Sequence, residues 1–314
     1  MVIRNLGRSG LQVSLVGLGC NNFGGRIDLE ASRSVVHRAL DLGVTLFDTA
    51  DIYGENGRSE SFLGEILGSR RKDVVLATKF GSPMDAAGEL KGASRRYILS
   101  AVEDSLRRLR TDWIDLYQLH VPDPTTPIVE TLGALDDLVH QGKVRYVGCS
   151  NLPAWQVVEA QWTARQANLE AFISCQDEYS LVKRDIEAEL LPAAQAYGLG
   201  LLPFFPLASG LLTGKYRRDA PLPVGTRLAN TERLANRYLN EANWRIVEAL
   251  DAFCRTRGRS LLELAFSWLA ARPQVASVIA GATRPEQVEQ NVKAADWQLS
   301  AEELAEIDRL SVRA

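Results

Sequence analysis

Short apolar runs alternate with helix-length periodic segments along almost the whole chain. Runs of β type end at Cys20, Asp48, Lys79, His120, Ser150, Gln176 and Phe204, which by subtraction lie 28, 31, 41, 30, 26 and 28 residues apart. Each interval holds one strand-sized run and one segment of helical period, the layout that parallel βαβ units require. Residues 2–14, around Gly7-Arg8-Ser9-Gly10, read as a β-hairpin ahead of this repeat. Strands are expected at Leu15 to Gly19, Thr45 to Asp48, Val74 to Lys79, Ile114 to His120, Val144 to Gly148, Ala171 to Cys175, Leu201 to Phe205 and Ser277 to Ile279. Between them Val36 and Leu40, then Leu63, Ile66 and Leu67, then Ile98, Val102, Leu106 and Leu109 mark buried helix stripes. Ser94 and Thr126-Pro127 mark helix starts, and further helices are expected near 153–167 and 186–197. The period slips at 208–240, a stretch rich in Gly, Pro, Asn and Arg that reads as a long functional loop. Helices at 241–257 and 260–271 follow, then one from Pro285 and a last one over 300–311.

Eight such units suggest either a closed barrel or a doubly wound sheet. A dinucleotide-binding doubly wound sheet would carry GxGxxG after its first strand, whereas that junction reads GLGCNNFGG. The expectation is therefore α/β, a (β/α)8 TIM barrel with an N-terminal β-hairpin and extra C-terminal helices, with residues 1–314 forming one domain. Composition agrees: 314 residues, 46% hydrophobic and 24% charged, supply one large core. A formal net charge of −3 and the lack of basic runs argue against a nucleic-acid surface. No signal-like or membrane-length apolar stretch stands out, so a cytoplasmic protein is expected. Cys20, Cys149, Cys175 and Cys254 show no metal-like spacing and read as buried free thiols.

Asp48, Tyr53, Lys79 and His120 fall at or just past strand ends, and in an α/β barrel that face gathers catalytic groups. Reduction of a carbonyl builds negative charge on its oxygen, which needs a proton donor within reach. Tyr53 is such a donor, but a free phenol titrates at about 10. Lys79 beside it would favour the phenolate, Asp48 would hold the ammonium, and His120 could donate to the carbonyl oxygen. Alone, each has an ordinary reading as cap, packing group or solvated side chain. His37 and His140 read as surface residues.

The residues resemble the aldo-keto reductases, in the longer-loop branch that includes bacterial stress-related reductases and potassium-channel β subunits. The similarity spans nearly the whole chain and rests on FDTADIYG at 47–54, ATKF at 77–80, LHVPD at 119–123, GCSN at 148–151, Gln176 with Tyr179, PL-x-x-G-L-L-T-G-K-Y at 206–216 and GATRPEQVEQN at 281–291. The resemblance implies Tyr53 as general acid and hydride from a nicotinamide. It implies that Ser150, Asn151 and Gln176 hold the nicotinamide amide, with Phe204 stacking where the family often has tyrosine and Phe205 replacing a small polar residue. Pro206, Leu207, Ser209 and Lys215 correspond to the loop over the pyrophosphate. Gly281, Thr283, Arg284, Gln287, Gln290 and Asn291 correspond to the adenosine end, with Gln290 where glutamate is common. Arg284 at a helix start suits a 2′-phosphate, hence NADP(H). Substrate is expected to meet Asn22, Phe23, Tyr53, Phe80 and His120.

The expected activity is interconversion of an aldehyde, ketone or aldose with its alcohol, with small-molecule substrates as partners and no metal. Two other classes fit the residues less well. One is a cofactor-binding regulatory or redox-sensing subunit with slow turnover, although no long N-terminal extension is seen to act on a partner. The other is a Schiff-base enzyme using Lys79 as nucleophile.

Overall fold

A computed structural model describes residues 1–312. Strands β1 (Ile3–Asn5) and β2 (Gln12–Ser14) form the antiparallel hairpin. The barrel wall follows as β3 (Val16–Gly19), β4 (Leu46–Asp48), β5 (Val75–Phe80), β6 (Ile114–Leu119), β7 (Val144–Ser150), β8 (Ser174–Gln176), β9 (Gly200–Leu201) and β10 (Val278–Gly281). These eight run parallel in the order β10-β3-β4-β5-β6-β7-β8-β9. The two outer strands meet: Leu201 N donates to Gln274 O at 2.7 Å, Ala276 N to Leu201 O at 2.9 Å and Ile279 N to Pro203 O at 3.0 Å. The sheet therefore closes into the expected (β/α)8 barrel.

Helices α1 (Leu29–Asp41), α2 (Tyr53–Leu67), α3 (Arg95–Leu109), α4 (Ile128–His140), α5 (Ala154–Ala167) and α6 (Leu190–Tyr197) cross over between successive strands. Then come α7 (Arg227–Asn230), α8 (Glu232–Tyr238), α9 (Glu241–Arg255) and α10 (Leu261–Ala270), with α11 (Pro285–Ala294) and α12 (Ala301–Leu310) after the last strand. Side chains at several helix starts satisfy the free backbone N–H groups there. Asp28 Oδ1 accepts from Ala31 N at 2.9 Å, and Ser260 and Ser300 each form a reciprocal capping box with a glutamate three residues on.

Three stretches differ from the sequence pattern. The seventh barrel strand is only Gly200–Leu201, because Pro203 lacks an N–H and Phe205 takes φ +50°, which turns the chain out of the wall. The sixth helix opens as a 3-10 turn at Asp185–Glu187 before α6. The stretch 208–240 is not one open loop, since a 3-10 turn over Ala208–Thr213 leads to α7 and α8. Leu211, Leu212, Tyr216, Leu228, Leu234 and Tyr238 are all buried there, so short apolar anchors pin a segment that carries no long periodic run.

The barrel interior is layered by the two-residue period of its strands. Leu46, Ala77 and Leu116 form an apolar floor with Leu202, Ala276 and Ile279, and the hairpin plugs it with Leu6 and Val13. Two residues further along the same strands, the inward positions are Asp48, Lys79 and Gln118. A dry floor thus fixes where the polar layer sits, at the C-terminal rim. The larger apolar cluster lies between the wall and the helices and includes Phe47, Leu76, Tyr117, Val147 and Cys175.

Candidate active site

Asp48 ends β4, Lys79 is the second-last residue of β5, and His120 directly follows β6. Lys79 is 0% exposed, and its Nζ donates to Asp48 Oδ2 at 2.6 Å and to Thr49 O at 2.9 Å. The other carboxylate oxygen, Asp48 Oδ1, accepts from Gln176 Nε2 at 2.8 Å and from Gln118 Nε2 at 3.3 Å. A buried ion pair held by this many hydrogen bonds is a rigid one. The Asp48 charge, followed by the Tyr53 hydroxyl, holds the Lys79 ammonium above its ordinary value against its burial, so Lys79 is a fixed cation.

Tyr53 opens α2 on a backbone that only this turn explains. Residues 54–57 all take positive φ, and a Cβ on Gly54 would lie 2.3 Å from Phe23 O. The turn lays the phenol ring over the polar layer: Lys79 Nζ is 5.1 Å from its centroid, and the His120 ring stands edge-on at 5.7 Å and 81°. All four side chains expected to act together are therefore gathered at one rim. Burial pushes the Tyr53 phenol above its ordinary value, and the Lys79 charge and hydrogen bond pull it back only in part. Lys79 thus acts in the direction expected from the sequence, while desolvation is the larger effect and sets the net rise. Burial and the Lys79 charge push His120 down to about 3, which keeps the imidazole neutral at physiological pH. Its Nδ1 is buried without a partner.

Ser150, Asn151 and Gln176 form a connected rim. Ser150 Oγ donates to Gln176 O at 2.8 Å, while Asn151 Nδ2 donates to His120 O and to Ser150 Oγ, each at 2.9 Å. Phe204 and Phe205 stand edge to face at 5.3 Å, and the Arg227 guanidinium lies 5.0 Å over the Phe205 ring. Pro206 and Ser209 are buried and Leu207 half-buried in the turn that follows. Across the mouth, Gln287 Oε1 accepts from Thr283 N at 2.7 Å and Oγ1 at 3.1 Å, which shapes the start of α11. Gly281, Arg284 and Gln290 are exposed, and Asn291 is buried.

Phe23 and Phe80 do not line an open pocket as expected. Both are 0% exposed within the main core, Phe80 against Tyr117 at 4.7 Å. Asn22 is also buried, with Nδ2 donating to Ala282 O at 3.3 Å.

Several rim residues escaped the sequence reading. Gln118 could have been found, since it shares the inward face of β6 with His120 two residues on. Thr49 acts through its carbonyl, which carries no sequence signal. Arg26, in a turn, and Arg227, at the start of the short α7, join Lys215 and Arg284 in one basic group: burial, then Arg26 and Arg284, lower the Lys215 ammonium, and burial, then Arg26, lowers the Arg227 guanidinium. Among the described residues none of these four has an acidic partner within ion-pair distance. The described residues hold no cluster suited to a metal ion, and no helix among them is long and apolar enough to cross a membrane.

A closed parallel barrel with a buried Asp–Lys pair, a tyrosine and a neutral histidine at its C-terminal rim has the active face of an α/β-barrel enzyme. The chain belongs to the Aldo/keto reductase family, whose model matches residues 15–312. It is similar to a probable voltage-gated potassium channel subunit beta of Oryza sativa subsp. japonica, 40% identical over 303 residues that cover 94% of this chain and 92% of the relative. An uncharacterized oxidoreductase of Bacillus subtilis is 37% identical over 95% of this chain and 92% of its own length. An L-glyceraldehyde 3-phosphate reductase of Escherichia coli (strain K12) is 36% identical over 98% and 92%. Family and relatives together make the chain an oxidoreductase of the carbonyl-reducing type.

Proposed function

We propose that the protein is an NADP(H)-dependent oxidoreductase that interconverts an aldehyde, ketone or aldose with its alcohol, with Tyr53 as general acid and base. The observation that carries this reading is the 2.6 Å Lys79–Asp48 pair, sealed at the rim directly beneath the Tyr53 ring. Its fixed cation favours the phenolate that remains once the Tyr53 proton has gone to the substrate oxygen. In the alcohol-forming direction Tyr53, protonated at neutral pH, gives that proton; in the reverse direction its phenolate takes one back. His120, neutral, can donate one N–H to the same oxygen and orient the carbonyl without competing as an acid.

The rim suits a dinucleotide carrying several phosphates. Lys215 and Arg284, with Arg26 and Arg227 beside them, offer four cations that the described residues do not neutralise, and the start of α11 adds its backbone N–H groups. Ser150, Asn151 and Gln176 would hold the nicotinamide amide, Phe204 would stack on its ring, and Pro206, Leu207 and Ser209 would cover the pyrophosphate. Gly281, Thr283, Gln287, Gln290 and Asn291 would border the adenosine, Arg284 taking a 2′-phosphate. When bound, the nicotinamide supplies or accepts the hydride. Small-molecule carbonyl compounds are the expected partners, in a protein working in the cytoplasm.

An assay panel of short aldehydes, sugars and phosphorylated aldehydes, run in both directions with NADPH and NADH, tests the reading. The phosphorylated compounds are included because one relative is named for such a substrate. Turnover with a preference for NADPH, reduced in Arg284→Ala, is the expected result; a preference for NADH removes the role given to Arg284. The relatives named as channel β subunits support a second reading, a cofactor-binding regulatory subunit. Tight cofactor binding with negligible turnover across the whole panel would favour it.

A further inference from the structure

We propose that Asp51, a carboxyl group sealed between the barrel wall and helices α2 and α3 two residues before Tyr53, is a positioning residue for the reaction. Its charge state biases Tyr53 between acid and base, and so sets the pH range over which reduction prevails over alcohol oxidation. The inference rests on the role of Tyr53 proposed above.

The placement is unusual for a carboxylate. Asp51 is 1% exposed, and neither of its oxygens has a hydrogen-bond partner within normal geometry. Burying an ionised carboxylate that way is expensive, and the group escapes the cost by keeping its proton. The neighbours that would otherwise help are committed elsewhere. Arg108 Nε on α3 donates to Glu60 Oε2 on α2 at 2.6 Å, and Glu60 Oε1 accepts from Thr78 Oγ1 on β5 at 2.5 Å. Lys79, also on β5, is taken by Asp48 through the wall. Tyr117 on β6 is 0% exposed with an unpartnered hydroxyl, and Tyr97 on α3 feels the Asp51 charge as well. Glu60, Tyr53, Lys79, Tyr97, Arg108 and Tyr117 are thus the titratable and charged groups that interact with it. Of these, Glu60 is the near negative charge.

The electrostatics have one net direction. Burial first, then Glu60, pushes Asp51 up to about 8, with the Ile52 backbone N–H, Arg108 and Lys79 pulling the other way. At neutral pH Asp51 is mainly the neutral acid and leaves Tyr53 to Lys79. As pH rises through 8 it ionises, and its charge raises the Tyr53 phenol further. Tyr53 therefore keeps its proton, the form that reduction requires, to a higher pH than Lys79 alone would allow.

The test needs no substrate. Tyrosinate absorbance is followed against pH, and Tyr53 is isolated as the difference between protein with and without Y53F, in both wild-type and D51N backgrounds. Asp51 is charged where Tyr53 titrates, so D51N should shift the Tyr53 midpoint to lower pH. An unchanged midpoint overturns the proposal. A second measurement covers the case in which D51N folds poorly: infrared spectra of E60Q should show a protonated-carboxyl band that disappears at lower pH than in wild type. The same pH dependence in both proteins removes the part given to Glu60, and absence of any protonated-carboxyl band at neutral pH overturns the proposal. In steady state, the alkaline limb of carbonyl reduction should move to lower pH in D51N. Because the optical titration requires no turnover, loss of the reductase reading would be seen separately, as an inactive wild type whose Tyr53 midpoint still responds to Asp51.

Discussion

His120 shows how burial selects a chemical role. Beside the Lys79 cation and largely out of water, the imidazole is pushed down to about 3. It therefore crosses the whole neutral range as a neutral hydrogen-bond donor and cannot serve as the titrating acid. Carbonyl reduction should accordingly show no inflection from His120 between pH 5 and pH 7 in kcat/KM. An inflection near the ordinary histidine value of about 6.5 that vanishes in His120→Gln would contradict this assignment. The sign for stability follows from the same depression. The unfolded chain takes up a proton near its ordinary value and the folded protein only near 3, so stability is full above about 6.5 and is lost as pH falls toward 3.

At the scale of elements, the position of Tyr53 depends on how closely α2 approaches α3. A Cβ on Gly64 would lie 2.4 Å from Arg108 O and 2.6 Å from Leu109 C, so glycine is needed where the two backbones touch. Gly64→Ala should destabilise the protein by about 1–3 kcal/mol in a urea titration, with loss of turnover because α2 carries Tyr53 at its start. Wild-type stability and activity would show that the contact is slack. Elements such as α3 and β6 were legible in the sequence because one face of each is buried, which writes its period into the residues. Asp48, Lys79 and His120 were legible because they interrupt that pattern at strand ends, and Tyr53 because it follows the first of these in the loop at the same face. The turns were not: α7 and α8 are too short to repeat, and β9 is cut by Pro203 and by the φ of Phe205. The burial of Phe23 and Phe80 was not legible, because closeness in sequence to the rim does not say which side of the wall a side chain takes.

Over the whole molecule, a dry floor plugged by the hairpin and a polar rim at the opposite end divide stability from chemistry. The polar end has a cost that shows with pH. Burial alone pushes Asp177 up to about 8, whereas in the unfolded chain it titrates near its ordinary value, so stability falls as pH rises from about 4 to 8. Asp177→Asn should raise the melting temperature at pH 9 relative to wild type, with the gap closing toward pH 4; an equal gap at both would refute the cause given. Chemistry at the polar rim turns on the Tyr53 hydroxyl. Its most direct test compares Tyr53→Phe with wild type for NADPH affinity, by fluorescence, and for aldehyde reduction under saturating cofactor. Unchanged affinity with turnover lower by about 10²–10⁴-fold is expected, and a variant that keeps turnover within a few-fold of wild type would rule out Tyr53 as the proton donor.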